Sequence, residues 1–269
     1  MAWRTTTDIR EFLDAAGDFL RARPIDNTML LTEAAYLEAF PDAREQLHGW
    51  WTGGGAFLQA PGHAPIVSLL PDEAWEPLAE LLPGVSQLGV DARSVPQAKA
   101  VWPGLTEQLR IAVCRARPPG WDGARPQGRN EAQPQEPTIR GRARTATTDD
   151  RDLLVSWYHE LMAANPGDPS DLAYVVDFPL TYGGLTLWEV DGVPTAMAGR
   201  TPVIGGVTRV GASHGAHSDA AFAAACSEAA FAAACSEAAT HADEVLVLTT
   251  DEDCEPLFER VRLGSWTNQ

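Results

Sequence analysis

Two histidines and an aspartate lie close together in the sequence GASHGAHSDAAF. His214, His217 and Asp219 stand just before a long alanine-rich stretch. Because imidazole changes charge near neutral pH, two histidines beside a carboxylate can move protons or bind a metal ion. The His-x-x-His spacing has no third neutral ligand nearby, so we predict no metal site. The hypothesis is acid/base catalysis by these three residues. The alternative is a polar loop in which Asp219 caps a helix.

Five further side chains could bind or activate a small molecule. Glu189, in a predicted strand, could act as a general base, or it could face solvent. Arg200 and Arg209 lie on neighbouring predicted strands and could hold an anionic substrate, although a role on the strand surface also explains them. Tyr182 and Trp51 could line a cleft between the two halves of the chain, or they could belong to the core. The sequence contains no P-loop, dinucleotide fingerprint or Ser-His-Asp spacing.

Most of these residues lie in or beside a predicted three-stranded meander that leads into a helix. Apolar periodicity and turn signals in the second half predict a strand, two helices, three strands, a helix, a strand and a short final helix. The strands are predicted at 142–146, 185–190, 193–203, 207–211 and 244–250, and the final helix at 255–263. Asp191-Gly192 is typical of a hairpin turn. In the first half, helices are predicted over 8–21 and 27–39.

The alanine-rich stretch consists of the nine-residue unit AAFAAACSE, present twice in tandem. Nine residues at about 100° each rotate the helix face by about 180°. Phe222 and Phe231 are therefore expected to point in opposite directions, as are Cys226 and Cys235. One phenylalanine can pack on the sheet, and the other must face solvent, the N-terminal half or a partner.

Charge and cysteine content limit the partners and the compartment. Twenty Lys+Arg and 37 Asp+Glu residues give a formal net charge of −17. This balance argues against nucleic acid and anionic membranes, which both attract basic patches. The four cysteines have no metal-site spacing, and reduced thiols are the simplest interpretation. The N-terminal segment is too polar for a signal peptide, and no stretch approaches the roughly 20 apolar residues of a membrane span. We therefore expect a cytoplasmic protein.

Proline content divides the chain into two halves. The segment 116–138 is rich in Pro, Gly, Gln and Asn, a composition that cannot bury a core. We predict an N-terminal domain at 1–115, a linker at 116–138 and a C-terminal domain at 139–269.

The element order of the second half resembles that of the GNAT acetyltransferases. The segments RARTATTDDRDLLVSWYHEL, LTYGGLTLWEVDGVPTAMAGRTP and EVLVLTTD are similar to the C-terminal domain of actinobacterial members. FLDAAGDFLRARPIDNTMLLT and GWWTGGGAFLQAP resemble the reduced N-terminal half of the same proteins. The resemblance implies an α/β (α+β) GNAT fold, with a mixed central sheet flanked by helices and a second, smaller GNAT-like domain at the N-terminus. High Ala, Gly, Pro and Arg content also suggests an actinobacterial source.

The sequence departs from the family where the cofactor binds. In the family, a turn of the type Arg-Gly-x-Gly-x precedes this helix, and its backbone N–H groups bind the pyrophosphate of acetyl-CoA. Here Ser218 replaces the arginine, Asp219 and Ala221 replace the two glycines, and Phe222 stands at the following aromatic position. The turn has lost its glycines and gained a carboxylate. We therefore predict that no cofactor binds, with acetyl-CoA expected only if the protein is an acetyltransferase.

Two more departures lie near the C-terminus. Phe258 occupies the position of the family's tyrosine, which protonates the departing thiolate, and phenylalanine cannot donate a proton. The resemblance also implies that the family's last two strands are truncated. The sheet would then have an open edge, which a small partner protein or a second copy could cover.

Three functions remain open from the sequence. The first is a repurposed GNAT-fold enzyme or enzyme subunit that does not acetylate. It would act on a small molecule in specialised (natural product) metabolism by elimination, ring closure or decarboxylation, within a heteromeric complex. The second is an acetyl-CoA-dependent N-acetyltransferase acting on a small-molecule amine. The third is a non-catalytic GNAT-fold protein that binds a ligand or partner. The fold alone does not choose among them.

Overall fold

In the computed structural model, the last residues of the chain belong with its first half. The first unit comprises residues 1–114 and 248–269, and the second comprises residues 115–247. The structure describes residues 1–41, 46–60, 62–116, 139–250 and 254–265. Apart from Ala116, the linker predicted at 116–138 lies outside the described residues. Among the described residues, no helix is long and apolar enough to cross a membrane.

Twelve strands and seven α-helices are assigned within the described residues. The chain up to residue 116 contains β1 (Trp3–Thr6), α1 (Ile9–Arg21), α2 (Thr28–Ala39), β2 (Leu47–Trp51), β3 (Ala56–Gln59), β4 (Ile66–Val67), α3 (Trp75–Leu81), β5 (Gln87–Asp91), α4 (Val95–Val101) and β6 (Thr106–Arg115). The remainder contains β7 (Arg142–Thr145), α5 (Arg151–Ala164), α6 (Phe178–Thr181), β8 (Leu185–Val190), β9 (Val193–Arg200), β10 (Val207–Gly215), α7 (Ala220–Ala238), β11 (Glu244–Thr249) and β12 (Phe258–Gly264).

The second unit is a sheet with helices on both faces. Its strand order is β11-β10-β9-β8-β7, antiparallel except for the parallel pair β10 and β11 on either side of α7. Side chains alternate between two cores, as the period of two in a strand requires. Trp188, Ala196 and Ala198 pack in the same cluster as α7 residues, whereas Leu187 and Met197 pack with residues of α5. The predicted α/β class with a mixed sheet flanked by helices is confirmed.

The predicted hairpin between β8 and β9 is also confirmed. The two strands pair up to Val190 and Val193, and the residues between them, Asp191 and Gly192, have φ angles of +52° and +79°. Two consecutive positive φ angles define the turn that suits a two-residue hairpin, and Asp-Gly is a favourable pair for it.

The tandem repeat forms the long helix α7, but its two phenylalanines are not divided between core and exterior. Phe222 and Phe231 are both half-buried against the same core cluster, and Cys226 and Cys235 are both buried. The prediction that one phenylalanine must leave the sheet is therefore wrong. Because most neighbouring residues of α7 are small, a phenylalanine on the side of the helix can bend its ring toward the sheet. A rotation of about 180° between the two positions therefore does not force either ring into solvent.

The first unit has the strand order β1-β2-β3-β4-β5-β12-β6, so the last strand of the chain lies between two strands of the first half. β12 is antiparallel to both neighbours, with Val261 opposite Val90 and Arg110. The prediction of a helix at 255–263 is therefore wrong. Val261 and Leu263 lie two residues apart on the core face, and pairing on both edges outweighs the helical spacing of the apolar residues.

A buried arginine anchors β12. The Arg260 guanidinium donates hydrogen bonds to the carbonyl oxygen of Val67 at 3.1 and 3.2 Å and to that of Gly89 at 3.0 Å. These carbonyls belong to β4 and β5, whose parallel register is confined to Ile66 and Gly89. Arg260 therefore supplies donors where the strand ladder ends, as buried carbonyl groups require.

Asp91, opposite Arg260 on β5, is 2% exposed. Burial alone would raise the pKa of this carboxyl. Hydrogen bonds from Arg93, together with the charges of Arg93 and Arg260, outweigh burial and lower the pKa. The charge of Arg260 is thus accompanied by an ionised carboxylate.

Cys114 and Cys254 form a disulfide, so the expectation of four reduced cysteines is wrong for this pair. Their Cα atoms are 6.4 Å apart although 140 residues separate them in sequence. The proximity arises because β12 returns beside β6, which the sequence pattern did not predict. Cys226 and Cys235 remain free thiols, and burial raises the pKa of Cys235 to about 12.

Replacing Arg260 tests the anchor. We expect Arg260→Met to lower the free energy of unfolding by about 3 kcal/mol, because the buried Val67 carbonyl and the half-buried Gly89 carbonyl lose a charged donor. The measurement is urea unfolding followed by circular dichroism. The matched control is the neighbouring Glu259→Gln, which breaks only the exposed pair with Arg110 and should cost less than about 1 kcal/mol. Equal losses for the two variants would contradict the anchoring role.

The burial of His48 predicts that the folded protein loses stability in acid. This β2 residue is fully buried beside Phe12, and burial is the main cause that lowers its pKa from 6.5 to about 4. The unfolded chain therefore binds the proton first, so stability present above pH 6.5 is lost as the pH falls toward 4. The loss should reach about 3 kcal/mol below pH 4.

The measurement is the pH dependence of unfolding for the wild type and for His48→Leu. This variant should lack that component of the acid loss, whereas the exposed control His159→Leu should keep it. Identical pH profiles for wild type and His48→Leu would show that His48 does not contribute.

Candidate functional site

Strand β10 separates from β11 halfway along its length. Its register with β11 runs from Val207 to Val210, whereas its register with β9 continues to Gly215. The β9 register shifts between Gly211 and His214, where Ala212 has a φ of +49°. A bulge of this kind redirects the side chains that follow it. The second half of β10 therefore carries its polar residues away from the regular ladder toward the start of α7.

His214 lies directly after the bulge and is paired with a carboxylate. Its Nε2 is 3.0 Å from Oε2 of Glu160 on α5, and the ring of Trp157, one helical turn before Glu160, is 6.4 Å away. The His214 side chain is 16% exposed, so it is partly accessible. An imidazole held by a carboxylate is an arrangement suited to proton transfer. Glu160 is not among the residues predicted from sequence, although its spacing of three from Trp157 places it beside that residue on the helix.

His217 and Asp219 form a helix cap and are separate from the pairing of His214 with Glu160. The Asp219 carboxylate accepts a hydrogen bond from the backbone N–H of Phe222 at 3.0 Å. His217 Nδ1 accepts a hydrogen bond from the backbone N–H of Asp219 at 3.0 Å, and its ring packs against that of Phe222 at a tilt of 50°, with centroids 4.6 Å apart. A carboxylate at the N-cap satisfies a donor of the first turn and complements the helix dipole. The turn is therefore stabilised by its own side chains.

The glycine nearest the head of α7 is required for packing. A Cβ atom on Gly215 would overlap the backbone carbonyl of Ala223 in the first turn of α7. Gly215 thus lets the end of β10 approach the helix closely. It lies in β10, before the turn, and the turn from Ala216 to Asp219 contains no glycine of its own.

Glu189 is held by two arginines. Its carboxylate oxygens are 2.8 Å from Arg142 and 2.6 Å from Arg144, and the side chain is 8% exposed. Hydrogen bonds from both guanidinium groups lower the pKa of Glu189, which makes it a weaker base. Arg144 also binds both oxygens of Asp150 and is the main cause that lowers the Asp150 pKa to about 2. In this geometry Glu189 belongs to an ion-pair network that joins β7 and β8.

The two arginines expected to clamp a substrate lie on opposite faces of the sheet. Arg200 is directly opposite Val210 on β10, so these two side chains lie on the same face of the sheet. Arg209, which precedes Val210 in the strand, therefore points to the other face. Arg200 binds Glu237 of α7 with a distance of 2.9 Å, while Nη2 of Arg209 is 3.4 Å from the Tyr174 hydroxyl. The structure does not bring the two guanidinium groups together.

The two aromatic candidates have structural partners. The Tyr182 hydroxyl donates a hydrogen bond to the Arg200 carbonyl at 2.8 Å, and burial raises the pKa of Tyr182. Trp51 belongs to the first unit, where it is 5% exposed and its ring centroid is 5.7 Å from that of Trp3. Of the side chains selected from the sequence, His214 has the geometry best suited to chemistry. Within the described part of the chain, no group of three His, Cys, Asp or Glu residues could hold a metal ion.

In sequence, the chain matches no family model and no curated protein. In structure it is similar to several solved proteins. A Drosophila protein is 11% identical with a TM-score of 0.60, over 99% of each chain. A GNAT-family acetyltransferase from Colwellia psychrerythraea is 11% identical with a TM-score of 0.54, over 99% of this chain and 100% of that one.

A third similar structure is a GNAT-type N-acetyltransferase from Sphaerobacter thermophilus. It is 12% identical with a TM-score of 0.54, over 97% of this chain and 94% of that one. At these identities the similarity establishes architecture, and it agrees with the element order of the second unit. The predicted resemblance is confirmed at the level of structure: this chain has the GNAT fold.

Proposed function

We propose that this GNAT-fold protein acts on a small molecule by acid/base chemistry at His214 and does not use acetyl-CoA. The observation that carries the proposal is the carboxylate cap of α7. Asp219 already accepts the hydrogen bond of the Phe222 N–H, a donor that a bound phosphate would otherwise use. A phosphate at this helix end would have to displace the carboxylate and approach its negative charge. The residues at the head of α7 therefore do not fit the pyrophosphate of acetyl-CoA.

The pairing of His214 with Glu160 supports the acid/base part of the proposal. In the tautomer whose Nε2–H donates its hydrogen bond to the Glu160 carboxylate, Nδ1 of His214 is left as the basic nitrogen. That nitrogen can take a proton from a substrate, and the adjacent carboxylate then stabilises the imidazolium that forms. Return of the same proton to a leaving group or to a second atom of the substrate completes an elimination or a ring closure.

The second candidate function is acetyl-CoA-dependent acetylation of a small-molecule amine. It is favoured by the names of the Colwellia and Sphaerobacter proteins, both acetyltransferases. The separation of β10 from β11 after Val210 also favours it, because a ligand could reach the exposed strand backbone there. The two candidates differ in one measurable property, the affinity for acetyl-CoA.

Calorimetric titration with acetyl-CoA separates the candidates. We expect no saturable binding to the wild type, because the Asp219 carboxylate opposes the pyrophosphate. Asp219→Gly removes that charge and introduces a glycine at the head of α7, while costing the helix cap only a few tenths of a kcal/mol. Any residual affinity should therefore rise in this variant. Glu228→Gln, an exposed site further along α7, is the control for net charge and should behave like wild type. Micromolar binding by the wild type would refute the leading proposal and support acetyl transfer.

Turnover without acetyl-CoA tests the role of His214. The wild-type protein is incubated with the small-molecule filtrate of an extract of its source organism, from which CoA thioesters have been removed, and substrate loss is followed by mass spectrometry. We expect a substrate ion to be replaced by a product, and His214→Gln to abolish the conversion. His217→Gln, which alters only the helix cap, should retain most of it. Full conversion by His214→Gln would contradict the assignment, as would a wild type that converts substrate only when acetyl-CoA is added.

A further inference from the structure

The disulfide between Cys114 and Cys254 is placed where the last strand joins the first unit. Cys114 is the second-to-last residue of β6, and Cys254 lies four residues before β12. Because β12 is hydrogen-bonded to β6 along its length, the disulfide ties the segment that leads into β12 to the strand beside it. The covalent bond and the Arg260 anchor thus hold the same strand.

The surroundings of the two sulfur atoms are different. Cys114 is 2% exposed, whereas Cys254 is partly exposed in the segment just before β12. An incoming thiolate can therefore reach the sulfur of Cys254 more easily than that of Cys114. The free cysteines of the second unit, Cys226 and Cys235, are buried in α7. Among the four cysteines, the disulfide pair is the one suited to exchange with an external thiol.

We propose that the Cys114–Cys254 disulfide is a thiol–disulfide exchange site that controls how firmly β12 is held in the sheet. A dithiol reductant attacks Sγ of Cys254, forms a mixed disulfide and releases Cys114 as a thiolate, which takes up a proton. The second thiol of the reductant then attacks the reductant's first sulfur, which is bonded to Sγ of Cys254, and so releases the Cys254 thiol. The protein disulfide is reduced to two thiols, and the dithiol is oxidised to a cyclic disulfide.

Reduction removes a cross-link between residues 140 apart, and cross-links that close long loops restrict the open chain most. Opening of β12 then becomes easier, although Arg260 and the backbone ladder still favour the closed strand. Reduction is thus expected to loosen β12 without releasing it from the sheet. This loosening is independent of the chemistry at His214, which lies in the other unit.

The protein's charge makes the site selective among thiols. The net charge is −17, and the exposed Glu255 is adjacent to Cys254. An anionic thiolate is repelled more strongly than one on a neutral molecule, and the difference decreases when salt screens the charges. We expect 2-mercaptoethanol to reduce the disulfide faster than 2-mercaptoethanesulfonate, with the difference narrowing at high salt. Equal rates for the two thiols at low salt would contradict this part of the proposal.

Hydrogen–deuterium exchange measures the predicted loosening. Native wild-type protein is compared with and without dithiothreitol, and protection is read for peptides covering Phe258–Gly264. We expect exchange in β12 to accelerate roughly tenfold or more on reduction, with little change in peptides of α7. Cys226→Ala is the control variant and should show the same acceleration. The double variant Cys114→Ser/Cys254→Ser should exchange like reduced wild type whether or not reductant is present.

Two results would overturn the proposal. One is the detection of four free thiols in denatured protein that has not been treated with a reductant, which would mean that the disulfide does not form. The other is unchanged protection of β12 after complete reduction of the wild type, which would mean that the bond does not restrain the strand. The wild-type comparison requires no substitution, so it remains decisive even if the double variant fails to fold.

Discussion

A strand that leaves its neighbour must find other partners for its backbone, and this constraint shapes both units. Each unit contains a parallel pair of strands whose pairing ends early. In the first unit, β4 and β5 pair at Ile66 and Gly89. In the second, β10 and β11 pair from Val207 to Val210. Buried backbone groups left without a hydrogen bond are costly, so something must satisfy or redirect them.

The two units meet this constraint differently. In the first, a guanidinium from the last strand of the chain bonds to carbonyls of both separating strands. The backbone carbonyls of the separating strands are thus hydrogen-bonded by a side chain, and this arrangement depends on β12 being present. In the second, β10 bulges at Ala212 and continues along β9 alone, carrying His214 to Glu160. The result is a strand segment with partly exposed polar groups, and this is where we place the chemistry. The head of α7 is capped by the Asp219 carboxylate.

Much of the second unit could be predicted from sequence because its signals are local. The Asp191-Gly192 turn, the meander and the alanine-rich helix depend on residues close together in the chain, and each was found. Apart from the packing of Phe222 and Phe231, the failures in the fold involve residues that are distant in sequence. The sequence of β12 predicts a helix, although its spacing of apolar residues fits both the helical and the strand period. Only pairing with the strands on either side decides between helix and strand. The Cys114–Cys254 bond depends on that same return of the chain.

The candidate site shows the same division. His214 and Asp219 could be selected from residue type and spacing, but Glu160 becomes significant only once α5 lies against β10. Residue type and neighbouring strands predict that Arg200 and Arg209 bind one anion. Their side chains lie on opposite faces, however, because the register sets Arg200 opposite Val210. Residue type thus identified candidates, while register and packing determined which of them can act together.

The central claim is that the head of α7 is closed to phosphate by its own carboxylate. The most direct measurement is the backbone amide spectrum of Ala220–Ala223 during titration with acetyl-CoA, recorded by nuclear magnetic resonance. Our account predicts that these four amide signals, including the Phe222 amide bound to Asp219, stay unchanged. Saturable shifts of these signals would show that a pyrophosphate displaces the cap, and would contradict the account.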